Sequence, residues 1–240
     1  MAPADRVVPL HWDSRFFGFR IGRATGEVGD EAQVRALDNT ARDAGFRCIY
    51  LDVEPSEGHD TVLLQRLGYL LVEVALDLEH PTNQLTVRPP TRSTVRWGRV
   101  EDFGAACAQV QEAAVWSRFA VDPNFGAAAA DRLQRSRIER ALERGSGRRL
   151  LVAEDPGGVT GVATVAGVGT AGRTIDLIAT THPGSGAAQA LVAFAFEQFG
   201  PGSSRGGPIA ARNVASLRFS ETMGYRVERT RYVYHRWLDE

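Results

Sequence analysis

The sequence predicts a mixed α/β protein of the α+β class, in which helices flank a twisted, mostly antiparallel sheet and a smaller α/β domain comes first. Segments with helical spacing of apolar residues alternate with short β-rich runs along the 240 residues. Three consecutive β-rich runs in the second half are separated only by short glycine-containing turns, which favours an antiparallel meander. A proline-rich connector separates the two halves.

The first half contains a small strand, helix, strand, helix, strand pattern. Val34, Leu37 and Ala41 recur at helical spacing, and Gly45 follows where that helix would end. "FRCIYLDVEP" and "YLLVEVALDLE" predict strands, and "DTVLLQRLG" between them predicts a helix. The connector "HPTNQLTVRPPTRST" carries three prolines, which are disfavoured inside helices and central strands. We therefore predict an N-terminal domain over residues 1–90 and a larger domain over residues 91–240.

The second half carries the fuller set of elements. "TVRWGRV" predicts a strand, and "EDFGAACAQVQEAAVW" and "AAAADRLQRSRIERALER" predict helices. The meander consists of "RRLLVAED", "GVTGVATVAGV" and "RTIDLIATTH". The remaining segments predict a helix, a short strand, a helix and closing strands, in the order "GAAQALVAFAFEQFG", "GGPIAARN", "VASLRFSETMG" and "YRVERTRYVYHRWL".

Charge and composition exclude several classes of partner. The 28 Lys+Arg nearly balance the 29 Asp+Glu, so neither nucleic acid nor a membrane surface is expected as a partner. The sequence contains no run of about eighteen apolar residues, which a membrane-spanning helix would need. The start lacks the pattern of a secretory signal, so we expect a cytoplasmic protein. Cys48 and Cys107 are predicted to be buried free thiols, and no metal-ligand spacing is present.

The most informative stretch for chemistry is "IDLIATTHPGSGAAQALV", in which a predicted strand leads through a glycine-rich turn into a helix. The first amides of a helix lack internal partners and carry partial positive charge, so such a turn can bind phosphate. Gly184 and Gly186 allow the backbone to approach an anion closely. On its own the pattern is also compatible with an ordinary turn.

The order of elements and two motifs resemble the GNAT acyltransferase family. "PGSGAA" resembles the family's phosphate turn, with Pro183 where Arg or Gln is usual, and "NVASLRFSETMGY" resembles its later Asn-containing segment. The resemblance implies a catalytic GNAT domain at 91–240, a GNAT-like domain before it, and acetyl-coenzyme A as co-substrate without a metal. It implies the cofactor-binding residues Ile178, Ala179, Thr180, Gly184, Ser185, Gly186, Ala187, Ala188, Asn213, Ser216 and Phe219.

Catalytic residues are less well defined by the resemblance. Ser220 stands where the family usually has the tyrosine that protonates the departing thiolate, and it is one predicted catalytic residue. An amine nucleophile also needs a base, for which Asp176 is predicted and His182 is an alternative. Tyr232 and Tyr234 in the last strands are alternative acids, although alternation places them on one face, where core packing is the more common role.

Three further segments resemble GNAT enzymes of nucleotide-sugar metabolism that carry a GNAT-like domain before the catalytic one. They are "PLHWDSRFFG", "LGYLLVEVALDL" and "WSRFAVDPNF". The resemblance implies that Ser117, Arg118 and Phe119 lie beside the acceptor site, where an arginine suits a sugar-linked diphosphate. We expect the aromatic residues Trp12, Phe16 and Phe17 to serve packing, because aromatic side chains bury large areas.

Three functional hypotheses follow from these observations. The first is transfer of acetyl from acetyl-coenzyme A to the amine of a nucleotide-linked amino sugar. The second keeps the acyl-coenzyme A site but uses another small amine of a natural-product pathway, with a longer acyl donor as an option. The third is a degenerate GNAT module that binds coenzyme A without catalysis, which Ser220 favours. The partner is a small-molecule amine in the first two, and a homodimer is left open.

Overall fold

The computed structural model describes residues 7–25, 29–55, 61–82, 84–85, 93–126, 128–170 and 172–238. Its contacts group into two compact units. The first comprises Met1–Ala75, Val121–Gly126 and Arg229–Glu240, and the second comprises Leu76–Ala120 and Ala127–Glu228. The domain boundary near residue 91 stays a prediction.

The first unit contains a mixed sheet with the strand order β1-β2-β3-β10-β4. Strands β2 and β3 are parallel, whereas β1 pairs with β2 and β10 pairs with β3 in antiparallel fashion. The elements are β1 (Val7–Pro9), α1 (His11–Phe17), β2 (Ile21–Ala24), α2 (Glu31–Asp43), β3 (Cys48–Val53), α3 (Thr61–Arg66), and the parts of β4 (Tyr69–His80) and β10 (Arg226–Trp237) that belong to this unit.

Helix α2 shows how the sequence specifies an element of this unit. Asp30 caps its N-terminus by accepting a hydrogen bond from the Gln33 amide. Val34, Leu37 and Ala41 are buried in the hydrophobic core of the unit. The helix predicted from their spacing is therefore confirmed.

The N-terminal aromatic residues pack within the first unit. Trp12 and Phe16 stack with 4.8 Å between ring centroids, and Phe17 makes an edge contact with Phe125 at 4.7 Å. Phe19 packs against Phe125 and against Trp237 on β10. These contacts give the aromatic start of the chain the packing role expected for it.

The second unit contains a mostly antiparallel sheet with the strand order β4-β9-β8-β7-β6-β5. Antiparallel pairing joins β5, β6, β7 and β8, and β8 pairs with β9 in parallel. Besides its part of β4, its elements are β5 (Thr94–Trp97), α4 (Phe103–Gln111), α5 (Arg118–Val121), which ends in the first unit, α6 (Ala129–Leu142), β6 (Arg148–Asp155), β7 (Gly158–Ala166), β8 (Thr174–Thr180), α7 (Ala187–Phe199), β9 (Ser204–Ala210) and α8 (Val214–Thr222).

Helices cover both faces of this sheet because its central strands are apolar on both sides. Leu150 and Val152 of β6 lie in the core cluster that includes residues of α4 and α6. The intervening Leu151 and Ala153 lie in the cluster that includes residues of α7. Successive side chains of a strand point to opposite faces, so one strand contributes to both cores. The predicted fold class is confirmed.

Two elements differ from the expectation in detail. The predicted helix over 101–116 is α4 flanked by tighter 3₁₀ turns at Val100–Asp102 and Glu112–Trp116. The closing strands are one continuous strand, β10, whose part from Arg229 onward belongs to the first unit. Cys48 and Cys107 are buried and free, as predicted.

The described part of the chain contains neither a membrane-spanning helix nor a metal-binding cluster. No helix combines the length and the apolar composition that crossing a membrane requires. Within the same residues, no group of three or more His, Cys, Asp or Glu side chains is arranged to hold a metal ion.

Candidate functional site

The parallel strands β8 and β9 diverge after a short paired stretch. Their register joins Thr174 to Arg205 and Ile175 to Gly206, and no later pair is formed over the described length of the two strands. Both strands nevertheless continue, to Thr180 and Ala210 respectively. One edge of β8 therefore faces an opening between the strands, where its backbone groups lack the partners that a continued sheet would supply.

Residues on both strands explain the divergence. The register of β8 against β7 shifts between Thr164 and Val165, which leaves Asp176 as an extra residue in β8, and such bulges bend a strand. On β9, Gly207 is still close to β8, because a Cβ atom there would meet the Asp176 carbonyl oxygen at 2.5 Å, so the two strands stay in contact up to Asp176 and Gly207. The next residue is Pro208, which has no N–H to donate to a neighbouring strand.

The glycine-rich turn connects the end of β8 to the start of α7. The Ser185 amide donates a hydrogen bond to the His182 carbonyl oxygen at 3.2 Å, and Gly184 and Gly186 have φ values of 87° and 86°. A left-handed backbone of this kind favours glycine. Gly186 is the N-cap residue of α7 and has no side chain of its own to cap the helix, whereas the Ser185 hydroxyl accepts a weak hydrogen bond from the Ala187 amide at 3.4 Å. The partial positive charge at the start of α7 is thus available to an anion.

Gln109 on α4 fixes the junction between β8 and the turn. Its side-chain oxygen accepts a hydrogen bond from the Thr181 amide at 2.9 Å, and its side-chain nitrogen donates one to the Val159 carbonyl oxygen at 3.0 Å. The side chain is buried. One carboxamide therefore connects three segments of the second unit.

The predicted residues after β9 lie at the start of α8. Asn213 is the N-cap residue of α8, and its side-chain oxygen accepts a hydrogen bond from the Ser216 amide at 3.2 Å. Phe219, one turn later, packs against the core cluster that includes residues of α7. The cofactor-binding role of Asn213, Ser216 and Phe219 stays a prediction.

Asp176 forms an ion pair with an arginine of β6. Arg148 Nε donates a hydrogen bond to Asp176 Oδ2 at 2.9 Å, and both side chains are about a quarter to a third exposed, at 37% for Arg148 and 25% for Asp176. Among the described residues no group donates a hydrogen bond to the second oxygen, Oδ1. Arg148 also lines a surface cavity of about 570 Å³, between the start of β6 and the end of α6, that contains none of the predicted site residues.

The other catalytic candidates have different surroundings. Ser220 is buried on α8, and its carbonyl oxygen accepts a hydrogen bond from the Tyr225 amide at 2.9 Å. His182 is exposed in the turn, with its Nδ1 3.0 Å from the Thr181 hydroxyl. Tyr232 and Tyr234 belong to the first unit, and burial raises the pKa of Tyr234 above its usual value.

The predicted acceptor residues lie where α4 and its 3₁₀ turn end. The Ser117 hydroxyl accepts a hydrogen bond from the Phe119 amide at 3.3 Å, and Phe119 is buried. The Arg118 guanidinium lies 4.9 Å from the Phe119 ring centroid. The Ser117 carbonyl oxygen accepts a hydrogen bond from Arg212 at 3.3 Å, so the structure brings Ser117 next to the residue that precedes Asn213.

Comparison with known proteins gives matches at the level of structure. No family model matches the sequence, and no curated protein does. A functionally unknown conserved protein from Staphylococcus epidermidis superposes with a TM-score of 0.64 at 12% identity, covering 91% of this chain and 84% of its own. A tandem GNAT protein from the clavulanic acid biosynthesis pathway gives 0.58 at 13% identity, with 93% and 77% covered.

A third structure is a GCN5-related N-acetyltransferase from Sphaerobacter thermophilus, with a TM-score of 0.60 at 14% identity over 95% of this chain and 75% of its own. The chain has the GNAT fold. A similarity at these identities shows the fold and not the substrate. In the second unit, the divergent strands, the glycine turn and the Asn213 junction follow one another along the chain in the order that the sequence predicted.

Sequence reasoning missed three residues of this GNAT-fold unit. Each of the three contacts a residue far away in the sequence. Gln109 is 72 positions from Thr181, Arg148 is 28 positions from Asp176, and Arg212 is 95 positions from Ser117. Glutamine and arginine at those positions belong to no motif. Only the folded structure brings them to the site.

Proposed function

We propose that the chain is an N-acetyltransferase that transfers acetyl from acetyl-coenzyme A to an amine. The observation that carries the proposal is the opening between β8 and β9, because β8 leads through the glycine turn to the N-terminus of α7, which begins at a glycine N-cap. An extended chain ending in a pyrophosphate fits such a site, because the strand edge offers hydrogen-bonding groups along its length and the helix start favours the anion.

The residues present fit acetyl-coenzyme A. We assign the pyrophosphate to the backbone of Gly184–Ala188, where a Cβ atom on Gly184 would have no neighbour within 4 Å, so the turn is open on that side. The pantetheine arm would follow Ile178, Ala179 and Thr180, with Asn213, Ser216 and Phe219 on the opposite side. When bound, the co-substrate supplies the activated acetyl thioester, and an amide of β8 can stabilise charge on its carbonyl oxygen.

Proton transfer is assigned to two residues. We assign Asp176 as the general base, because Arg148 occupies only Oδ2 and leaves Oδ1 for the proton of the attacking amine. Ser220 is assigned to relay a proton to the departing thiolate. Thiolates of pKa near 8.5 leave readily around neutral pH, so this second step needs little help from the protein.

The proposed acceptor is the amine of a nucleotide-linked amino sugar. The segments around Trp12 and Ser117 resemble dTDP-fucosamine acetyltransferase, and this resemblance supports the choice. Ser117, Arg118 and Phe119 are the residues proposed to contact the acceptor. Ser117 lies next to the Asn213 junction through Arg212, which is consistent with an acceptor near the thioester end of the co-substrate.

Calorimetric titration with acetyl-coenzyme A, followed by a thiol-release assay against amino-sugar nucleotides and free amines, tests the proposal. We expect binding and turnover on a sugar nucleotide. Turnover only on another amine would contradict the proposed acceptor. Binding without turnover on any amine would identify a coenzyme A-binding module, and absence of binding would contradict the proposed function itself.

A further inference from the structure

Arg212 lies two residues after the end of β9, the strand that borders the opening. It follows the end of β9 and immediately precedes Asn213, the N-cap residue of α8. Its side chain reaches the segment after α4, where Nη2 donates a hydrogen bond to the Ser117 carbonyl oxygen at 3.3 Å. Its guanidinium carbon lies 5.6 Å from the centroid of the Trp116 ring. Arg212 thus connects the predicted cofactor residues with the predicted acceptor residues.

The charge of Arg212 is available to a ligand. Among the described residues, none of the ion pairs includes Arg212, and its side chain is exposed. A guanidinium has five N–H donors, of which Ser117 takes one. The remaining donors suit the oxygen atoms of a phosphate, which arginine binds in a planar, two-pronged arrangement.

Exposed apolar residues adjoin Arg212 and Trp116 along the chain. Trp116 is 38% exposed, and the neighbouring Val115 and Val214 are 57% and 49% exposed. Large apolar side chains exposed together beside a site offer a surface for the flat, weakly polar part of a ligand. An indole ring next to a guanidinium matches a nucleobase joined to phosphate, because bases stack on aromatic rings.

We propose that Arg212 and Trp116 bind the nucleoside diphosphate part of the acceptor, with Arg212 on a phosphate and Trp116 against the base. This proposal rests on the proposed function and names the residues that would bind the nucleotide part of its acceptor. Arg118, the predicted phosphate contact, lies with its guanidinium 4.9 Å from the Phe119 ring centroid and keeps that proposed role beside Arg212.

The test is a titration of the full chain with thymidine diphosphate and with uridine diphosphate, each in the presence of saturating coenzyme A so that the cofactor site is filled. Arg212→Gln is expected to weaken binding of the nucleoside diphosphate about tenfold or more. Trp116→Ala is expected to weaken it about fivefold or more. Arg218→Gln is the matched control, because Arg218 is an exposed arginine on α8 six positions later, and we expect no change.

Acetyl-coenzyme A affinity separates this proposal from the proposed function. All three variants should bind acetyl-coenzyme A as the unchanged protein does, and failure of the unchanged protein to bind it would contradict the proposed function. Equal nucleoside diphosphate affinity in Arg212→Gln and the unchanged protein would overturn the proposal. The proposal would also be overturned if the unchanged protein with bound coenzyme A did not bind a nucleoside diphosphate. The same holds if Arg212→Gln lost affinity for acetyl-coenzyme A alone.

Discussion

Gln109 shows how one buried side chain can hold the end of a strand next to the glycine turn without belonging to a motif. Its carboxamide satisfies the Thr181 amide at the end of β8 and the Val159 carbonyl oxygen on β7. A buried polar side chain is stabilising only when its partners are present, and these two hydrogen bonds provide them. The glycine turn begins directly after Thr181, so its position depends on this contact.

Replacing Gln109 by leucine should affect stability and binding together. Leucine is similar in size but leaves the Thr181 amide and the Val159 carbonyl oxygen without a partner, which costs about 1 to 3 kcal/mol of unfolding free energy. We also expect a weaker affinity for acetyl-coenzyme A, because the turn loses its connection to α4. Urea unfolding and calorimetry measure the two effects. Gln111→Leu, at an exposed position of the same helix, is the control.

Asp176 is the residue through which the proposed chemistry can be tested most simply. Asparagine can still accept the hydrogen bond from Arg148 but cannot take a proton from an amine. The Asp176→Asn variant should therefore lose about 10²- to 10⁴-fold in kcat and keep its affinity for acetyl-coenzyme A. Steady-state kinetics with a productive amine measures this. A kcat within threefold of the unchanged protein would show that the base lies elsewhere.

At the scale of elements, Asp122 ties the segment Val121–Gly126 to strand β10 within the first unit. Asp122 Oδ2 lies 2.8 Å from Nδ1 of His235 and accepts a hydrogen bond from the Trp237 indole at 2.9 Å. Burial by itself would raise the pKa of Asp122. The hydrogen bonds from His235 and Trp237 lower this pKa by more than burial raises it, so the pKa of Asp122 lies below the usual 3.8. The ionised carboxylate therefore stabilises the folded state.

The lowered pKa of Asp122 gives stability a pH dependence. The pKa of Asp122 is lower in the folded state than in the unfolded state. The contribution of its carboxylate to the unfolding free energy is therefore complete above about pH 4, and it is lost as the pH falls through the folded-state pKa. Asp122→Asn should lower the unfolding free energy at pH 7 by about 1 to 3 kcal/mol. The difference between the two proteins should shrink below pH 4. Asp43→Asn, at an exposed position of α2, should show neither effect.

Elements defined by local pattern could be predicted from the sequence, whereas long-range partners could not. The periodicity of Val34, Leu37 and Ala41 predicts α2, and the order of strand, turn and helix predicts β8, the glycine turn and α7. The bulge at Asp176 and the Gln109 contacts depend on residues far apart in sequence, and no local propensity encodes them. The sequence pattern predicted several closing strands where the structure has the single strand β10, whose residues are divided between the two units.

At the scale of the whole molecule, the first unit combines three separate parts of the chain. Its strand β3 pairs with β10 from Tyr232↔Val53 to Trp237↔Cys48, so its sheet includes residues from the end of the sequence. The sequence pattern indicates two α/β domains in tandem, and the fold neighbours agree. A pattern read along the chain cannot show that the last strand returns to the first unit.

This topology predicts the behaviour of the fragment 1–90. Without β10 the fragment lacks the strand that lies between β3 and β4, and small sheets with unpaired central edges are unstable. We expect the fragment to be unfolded by circular dichroism and hydrogen exchange. A cooperatively folded fragment would instead support an independent N-terminal domain ending near residue 91.

The central claim is that the turn before α7 binds the pyrophosphate of acetyl-coenzyme A. The most direct test is calorimetric titration of Ser185→Glu with acetyl-coenzyme A. A carboxylate at a helix N-terminus favours the helix but repels an anion at the same place. We predict an unchanged or slightly raised Tm and an affinity at least about tenfold lower, whereas Ser203→Glu before β9 binds normally. Unchanged affinity in Ser185→Glu would contradict this account.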